Sequence, residues 1–272
     1  MTERISQYHH DGLTFDVVDS GPIDGDVVVL LHGFPQTAKS WSAVSELLHT
    51  KGFRTLAPNQ RGYAVGARPV GRRQYTMTKL VGDIAALIDT VGGPVHLVGH
   101  DWGAGVAWAT AAARPDLVRT LTAVSVPHPG AFLRSMITGT QGLRSFYMGI
   151  FQLPGLGERF ARFGIPRSGM PDDAAAISRA EVLDGPALTT ALNWYRALPF
   201  VSPRAVSKPV TRPTTYVWSD ADIALGRKGA VLTQRYVHAP YRLVVVAGAT
   251  HWLPDTHPEL LADAIADRAA TG

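Results

Sequence analysis

The chain has 272 residues, with 26 Lys and Arg against 22 Asp and Glu, and no cysteine. That length holds one large α/β domain, or one domain carrying an insert. The missing thiols exclude disulfides and thiolate metal sites, and a net charge of +4 without any run of Lys or Arg argues against a nucleic-acid groove. The stretch Met1 to His10 is polar, and no segment approaches the roughly 20 apolar residues of a membrane span, which predicts a soluble, cytoplasmic protein that does not contact membrane.

In chain order, residues 13–19 (LTFDVVD) alternate as an edge strand would, and Val27 to Leu31 is a short apolar run of the buried parallel kind. Trp41, Val44, Leu47 and Leu48 keep helical spacing, and Arg54 to Ala57 gives another strand. Leu80, Ile84, Leu87, Ile88 and Val91 mark an amphipathic helix leading into the strand around Val95 to Val98. A small-residue helix follows from about residue 102 to Arg114, then a strand over 119–126. Such alternation predicts a doubly wound, mostly parallel sheet.

Between about His128 and Pro213 the pattern breaks into short helical pieces punctuated by Pro and Gly. The expected organisation is an α/β core over 1–127 and 214–272, with a helical cap inserted at 128–213. Strands resume at Thr214 to Trp218 and Arg242 to Val246, and a last helix starts at Pro258 with Leu261 and Ile265 on one face. In open α/β sheets ligands sit beyond the carboxyl ends of the strands, which places the site where Asp101 emerges.

Gly99-His100-Asp101-Trp102-Gly103 joins a strand to a helix. Glycines two residues before and after the middle position suit a sharp turn that exposes it, the nucleophile elbow. The middle residue here is aspartate, already ionised at pH 7 with a reference pKa of about 3.9, so it suits attack on saturated carbon in an epoxide or alkyl halide. Taken alone, the same pentapeptide also fits an Asp capping a helix. Other strand ends supply partners. His32-Gly33-Phe34-Pro35 offers the Phe34 N–H to pair with that of Trp102 as an oxyanion hole. Asp220 and Asp222 follow one late strand and His251 another, in the chain order nucleophile, acid, histidine.

These motifs resemble the epoxide hydrolases of the α/β-hydrolase fold and, more distantly, haloalkane dehalogenases. The resemblance rests on HGFP at 32–35, Gln60-Arg61-Gly62-Tyr63, the GHDWG elbow, the Asp222 turn and His251-Trp252. In the cap it rests on the segments around Tyr147 and around Asn193-Trp194-Tyr195-Arg196. It implies that Tyr147 and Tyr195 activate an epoxide oxygen, that Asp222 rather than Asp220 orients His251, and that no metal or cofactor is used. Phe34, Trp102, Phe146, Phe151 and Trp252 then form an apolar binding surface for a small epoxide, with water as co-substrate. Two alternatives remain at this level: dehalogenation by the same aspartate, with Trp102 and Trp194 as halide donors, and a noncatalytic ligand-binding protein of the same fold.

Overall fold

The apolar runs become strands that lie side by side in one sheet, in the order β1-β2-β4-β3-β5-β6-β7-β8. The computed structural model describes residues 3–202 and 206–272. The strands are β1 (Gln7–His10), β2 (Leu13–Ser20), β3 (Val27–Leu31), β4 (Arg54–Pro58), β5 (Val95–His100), β6 (Val118–Val124), β7 (Thr214–Ser219) and β8 (Tyr241–Val246). From β4 to β8 every neighbouring pair is parallel, whereas β1 and β2 run antiparallel at one side.

The segment 13–19 is not the edge strand its alternation suggested. β2 pairs with β4 on one side and with β1 on the other. The extra strand is a hairpin turned by Asp11 and Gly12, both at positive φ, and closed by Tyr8 stacked on its register partner Phe15 at 4.7 Å.

Alternate side chains of the buried strands feed two layers, because successive residues of a strand point to opposite faces. Val28 and Leu30 pack with Trp41, Val44 and Leu48 of α1 (Ser42–Thr50) and its preceding turn, and with Leu261 and Ile265 of the last helix, Pro258–Ala269. Val29 and Leu31 face Leu80, Ile84, Leu87 and Ile88 of α2 (Met77–Val91) and Trp108 of α3 (Trp102–Ala113). α3 is buried on nearly every side, which its run of Ala and Gly permits.

The parallel register brings the strand ends level. Leu31 pairs with Gly99, His100 with Val124, Val124 with Val217, and Ser219 with Val246. Strand order also reverses here, since the chain leaves β3 for β4 on one side and returns to β5 on the other. A crevice opens at such a reversal, just beyond β3 and β5. Between β6 and β7 the described residues form helices and no strand, among them Pro129–Thr138, Gln141–Arg144, Phe146–Ile150, Leu156–Gly164, Asp172–Ser178 and Ala187–Arg196. Among the described residues no helix is long and apolar enough to cross a membrane.

Candidate active site

Asp101 sits between β5 and α3 with φ 51° and ψ −122°, a conformation that a residue with a side chain adopts only under constraint. The constraint is close packing of the turn. A Cβ on Gly99 would run into the Gly103 carbonyl, and one on Gly103 would run into the Leu31 carbonyl. The reward of the strained turn is a carboxylate lifted out at the start of a helix, whose first N–H groups have no intrahelical partner and favour negative charge.

The two oxygens of that carboxylate face different partners. Oδ1 accepts from the Phe34 backbone N–H at 2.9 Å, and Oδ2 lies 3.3 Å from His251 Nε2. On its other side, His251 Nδ1 meets Asp222 Oδ2 at 2.7 Å. Asp222 Oδ1 is occupied by the backbone N–H groups of Ala224 and Leu225, at 2.7 and 2.9 Å. Asp220 is exposed and turned away, accepting from the Gly248 N–H at 2.7 Å. The structure therefore joins Asp101, His251 and Asp222 in one chain of contacts and leaves Asp220 outside it.

Electrostatics follow from this geometry. Burial works against charge on His251, but the Asp222 carboxylate and the bonds to Asp101 and Asp222 outweigh it and lift the imidazole to about 10. Burial likewise disfavours the Asp101 carboxylate, yet His251 holds it below the ordinary carboxylate range. In the resting site the neighbouring carboxylates thus favour the protonated form of the imidazole. His100 is pushed down to about 4, by burial first and by the charge of His251 second, so it is neutral. Its Nε2 and the Ser125 hydroxyl both reach the His251 carbonyl, at 3.0 and 2.9 Å, and fix the backbone beneath the imidazole.

Tyr147 and Tyr195 come from separate helices and meet over Asp101 with ring centroids 6.2 Å apart. Both line a cavity of about 290 Å³ that also contains Asp101, His251, Phe34, Phe146 and Trp252. Both also border a second cavity of about 120 Å³, which touches Asp101 and Trp102. Burial, reinforced by the Asp101 charge, raises both phenols above their ordinary value, so they stay protonated.

The segment Gln60 to Tyr63 explains how Tyr195 and Phe34 are placed together. Gln60 bonds the His32 carbonyl through Nε2 at 2.7 Å, and its N–H meets His32 Nε2 at 3.2 Å, fixing the turn that presents Phe34. The Arg61 carbonyl accepts from the Trp194 indole at 2.8 Å, and the Gly62 carbonyl accepts from the Thr190 hydroxyl at 2.6 Å. Both donors lie on the helix of Tyr195. The fully buried Arg61 guanidinium anchors the segment itself through a bidentate pair with Asp83, at 2.6 and 2.7 Å. Behind Tyr195, Arg196 reaches Glu158 at 3.0 Å and the Phe151 carbonyl at 2.9 Å.

The Alpha/beta hydrolase family profile matches residues 28–264. The chain belongs to the α/β-hydrolase family. It is similar to Epoxide hydrolase A of Mycobacterium tuberculosis, with 30% identity over 94% of both chains. It is 33% identical to Epoxide hydrolase 2 of Caenorhabditis elegans, over 90% of this chain and 74% of that one. Among solved structures it resembles a protein described under novel epoxide hydrolases from metagenomes of hot environments, with a TM-score of 0.85, 28% identity and full coverage of both chains. Epoxide Hydrolase A from Mycobacterium thermoresistibile superposes with a TM-score of 0.80 at 26% identity over 97% of each chain.

In this α/β hydrolase the apolar residues expected at the site divide. Phe34, Phe146 and Trp252 line the larger cavity, and Trp102 lines the smaller one. Phe151 lines neither. Its ring is fully buried behind the tyrosines, 4.7 Å from Tyr195 and 5.5 Å from Tyr147, so it backs them instead of meeting a ligand. Sequence reasoning missed Phe160, Ile165, Ile223 and Arg144 in the cavity wall. Phe160 and Ile165 carry no motif, while Ile223 could have been found as the residue next to Asp222.

Proposed function

We propose that this chain hydrolyses epoxides to vicinal diols through an ester on Asp101, with residues 128–213 acting as a cap that supplies the two tyrosines. The observation that carries this reading is the pair of protonated phenols, Tyr147 and Tyr195, facing an ionised Asp101 across an apolar cavity. Ring opening puts negative charge on oxygen and needs a proton donor opposite the nucleophile.

In the first step, Asp101 Oδ2 forms a bond to a ring carbon as that carbon's bond to the epoxide oxygen breaks. The oxygen takes a proton from the tyrosine pair. Esterification removes the Asp101 charge that helped hold the proton on His251, so the imidazole gives it up, through water, to the tyrosinate left by ring opening; it becomes a base, still oriented by Asp222, and the phenol is restored. It then takes a proton from water, whose oxygen attacks the ester carbon. The Phe34 and Trp102 N–H groups receive the charge that develops on Oδ1. Collapse breaks the bond from the ester carbon to Oδ2, the leaving oxygen takes the proton of the added hydroxyl, and the diol departs to leave a carboxylate beside an imidazolium, as in the resting site.

Dehalogenation fits less well. A halide needs two neutral N–H donors, and the Trp194 indole is committed to the Arg61 carbonyl at 2.8 Å, while Phe34 offers only a hydrocarbon side chain. Two cavities that both reach Asp101 and are walled mainly by apolar side chains favour an epoxide with apolar substituents. The test is to mix the His251→Gln variant with such an epoxide and measure intact mass. Gain of the whole epoxide mass on Asp101 is expected, and an unmodified protein would overturn the mechanism.

A further inference from the structure

Two side chains of the helical segment grip the loop that carries Asp222. Gln141, buried at the start of the helix Gln141–Arg144, donates from Nε2 to the Ala224 carbonyl at 2.6 Å and accepts at Oε1 from the Gly226 N–H at 2.8 Å. Its Nε2 also donates to the Ser145 hydroxyl at 2.9 Å. Arg144 donates from Nη1 to the carbonyls of Asp222 and Ile223, at 3.0 and 3.1 Å. The loop so held is the one whose Ala224 and Leu225 N–H groups bind Asp222 Oδ1. Ala224 is the shared link, with its N–H on the acid and its carbonyl on Gln141.

We propose that Gln141, assisted by Arg144, is a positioning residue for ester hydrolysis: it fixes the 222–226 loop so that Asp222 keeps His251 oriented and basic. Residue type matters. Only a primary amide presents a donor and an acceptor side by side, matching one carbonyl and one N–H of the same loop. An apolar side chain of equal length covers both half-buried groups without satisfying them, and the loop must shift to find partners. The consequence falls on the second step. Alkylation uses Asp101 and the tyrosines, whereas hydrolysis requires His251 as a base with Asp222 behind it.

This inference rests on the two-step reading, and the wild-type protein tests that reading by itself in rapid mixing: no transient ester overturns the reading, not the role of Gln141. Given the ester, Gln141→Met should slow its hydrolysis by about tenfold while changing alkylation by less than about twofold, so the ester accumulates. The acid limb of hydrolysis should also move to lower pH, because a looser Asp222 holds the proton on His251 less strongly. Gln141→Asn, which keeps the amide but is one methylene too short to span both backbone groups, gives the same split in smaller measure if Gln141→Met does not fold. Equal slowing of both steps, or an unmoved acid limb, would mean that Gln141 only braces the helix, and the proposal fails.

Discussion

The Phe34 backbone N–H holds Oδ1 of Asp101 at 2.9 Å and so makes the two oxygens of one carboxylate unequal. In the proposed mechanism Oδ1 stays behind as the carbonyl oxygen, and Oδ2, the oxygen that faces His251, is the one that attacks. Hydrolysis at the ester carbon then releases Oδ2 with the diol and leaves a water oxygen on the enzyme. A single turnover in ¹⁸O-labelled water should therefore label Asp101 and not the first diol, read by peptide mass spectrometry. Label in the first diol instead would mean that water attacks the ring directly.

In the proposed mechanism the tyrosines donate their proton in the first step alone. Tyr147→Phe and Tyr195→Phe should each slow alkylation by about tenfold or more, and the double variant by up to roughly 10⁴, the range of general acid catalysis. Stopped-flow fluorescence can follow alkylation, since Trp102 and Trp252 border the cavities. A double variant that alkylates at the wild-type rate rules out activation by these phenols.

Asp222 and Asp220 stand two residues apart, and only one of them reaches the histidine. Asp222→Asn should lower ester hydrolysis by at least about 10², because His251 loses the charge that orients it and keeps it basic. Asp220→Asn removes an exposed loop contact to Gly248 and should leave turnover within about twofold, as surface substitutions do. The reverse pattern would reassign the acid.

The pH profiles of the two steps should differ. Alkylation needs Asp101 ionised and the phenols protonated; the first is held below the carboxylate range and the second are raised, so its rate should be flat from about pH 5 to about pH 9. Hydrolysis needs neutral His251. In the resting site that group sits at about 10, and the ester, lacking the Asp101 charge, brings it lower. Hydrolysis should accordingly rise with pH to a plateau, and pre-steady-state rates across the range check it. A hydrolysis rate that falls as pH rises would contradict the role given to His251.

Much of this was legible in the sequence, for local reasons. The runs Val27 to Leu31 and Thr214 to Trp218 are rich in β-branched and aromatic residues that suit a strand covered on both faces, and they form strands where expected. Gly99 and Gly103 marked the turn because only a residue without a side chain fits there. The hairpin of β1 was missed although Asp11-Gly12 signalled it, since Gln7 to His10 is too short and polar to read as a strand. Phe151 was misplaced because an aromatic near Tyr147 looks the same in sequence whether it faces the cavity or backs the ring. Gln141 gave no signal at all: its value lies in two backbone groups more than eighty residues away, whose positions only the folded loop defines.

The reversal of strand order between β3 and β5 has a consequence for how such a molecule can diversify. Asp101 and the Phe34 N–H issue from adjacent strands in the middle of the sheet, while both phenols ride on helices between β6 and β7. In the proposed mechanism the sheet thus supplies the nucleophile and the machinery that cleaves the ester, while the outer layer supplies the proton donors for ring opening and the walls that meet the ring's substituents. The same sheet could carry a different set of helices and accept a different epoxide, provided that the replacement still docks on Gln60 to Tyr63 and on the loop of Asp222.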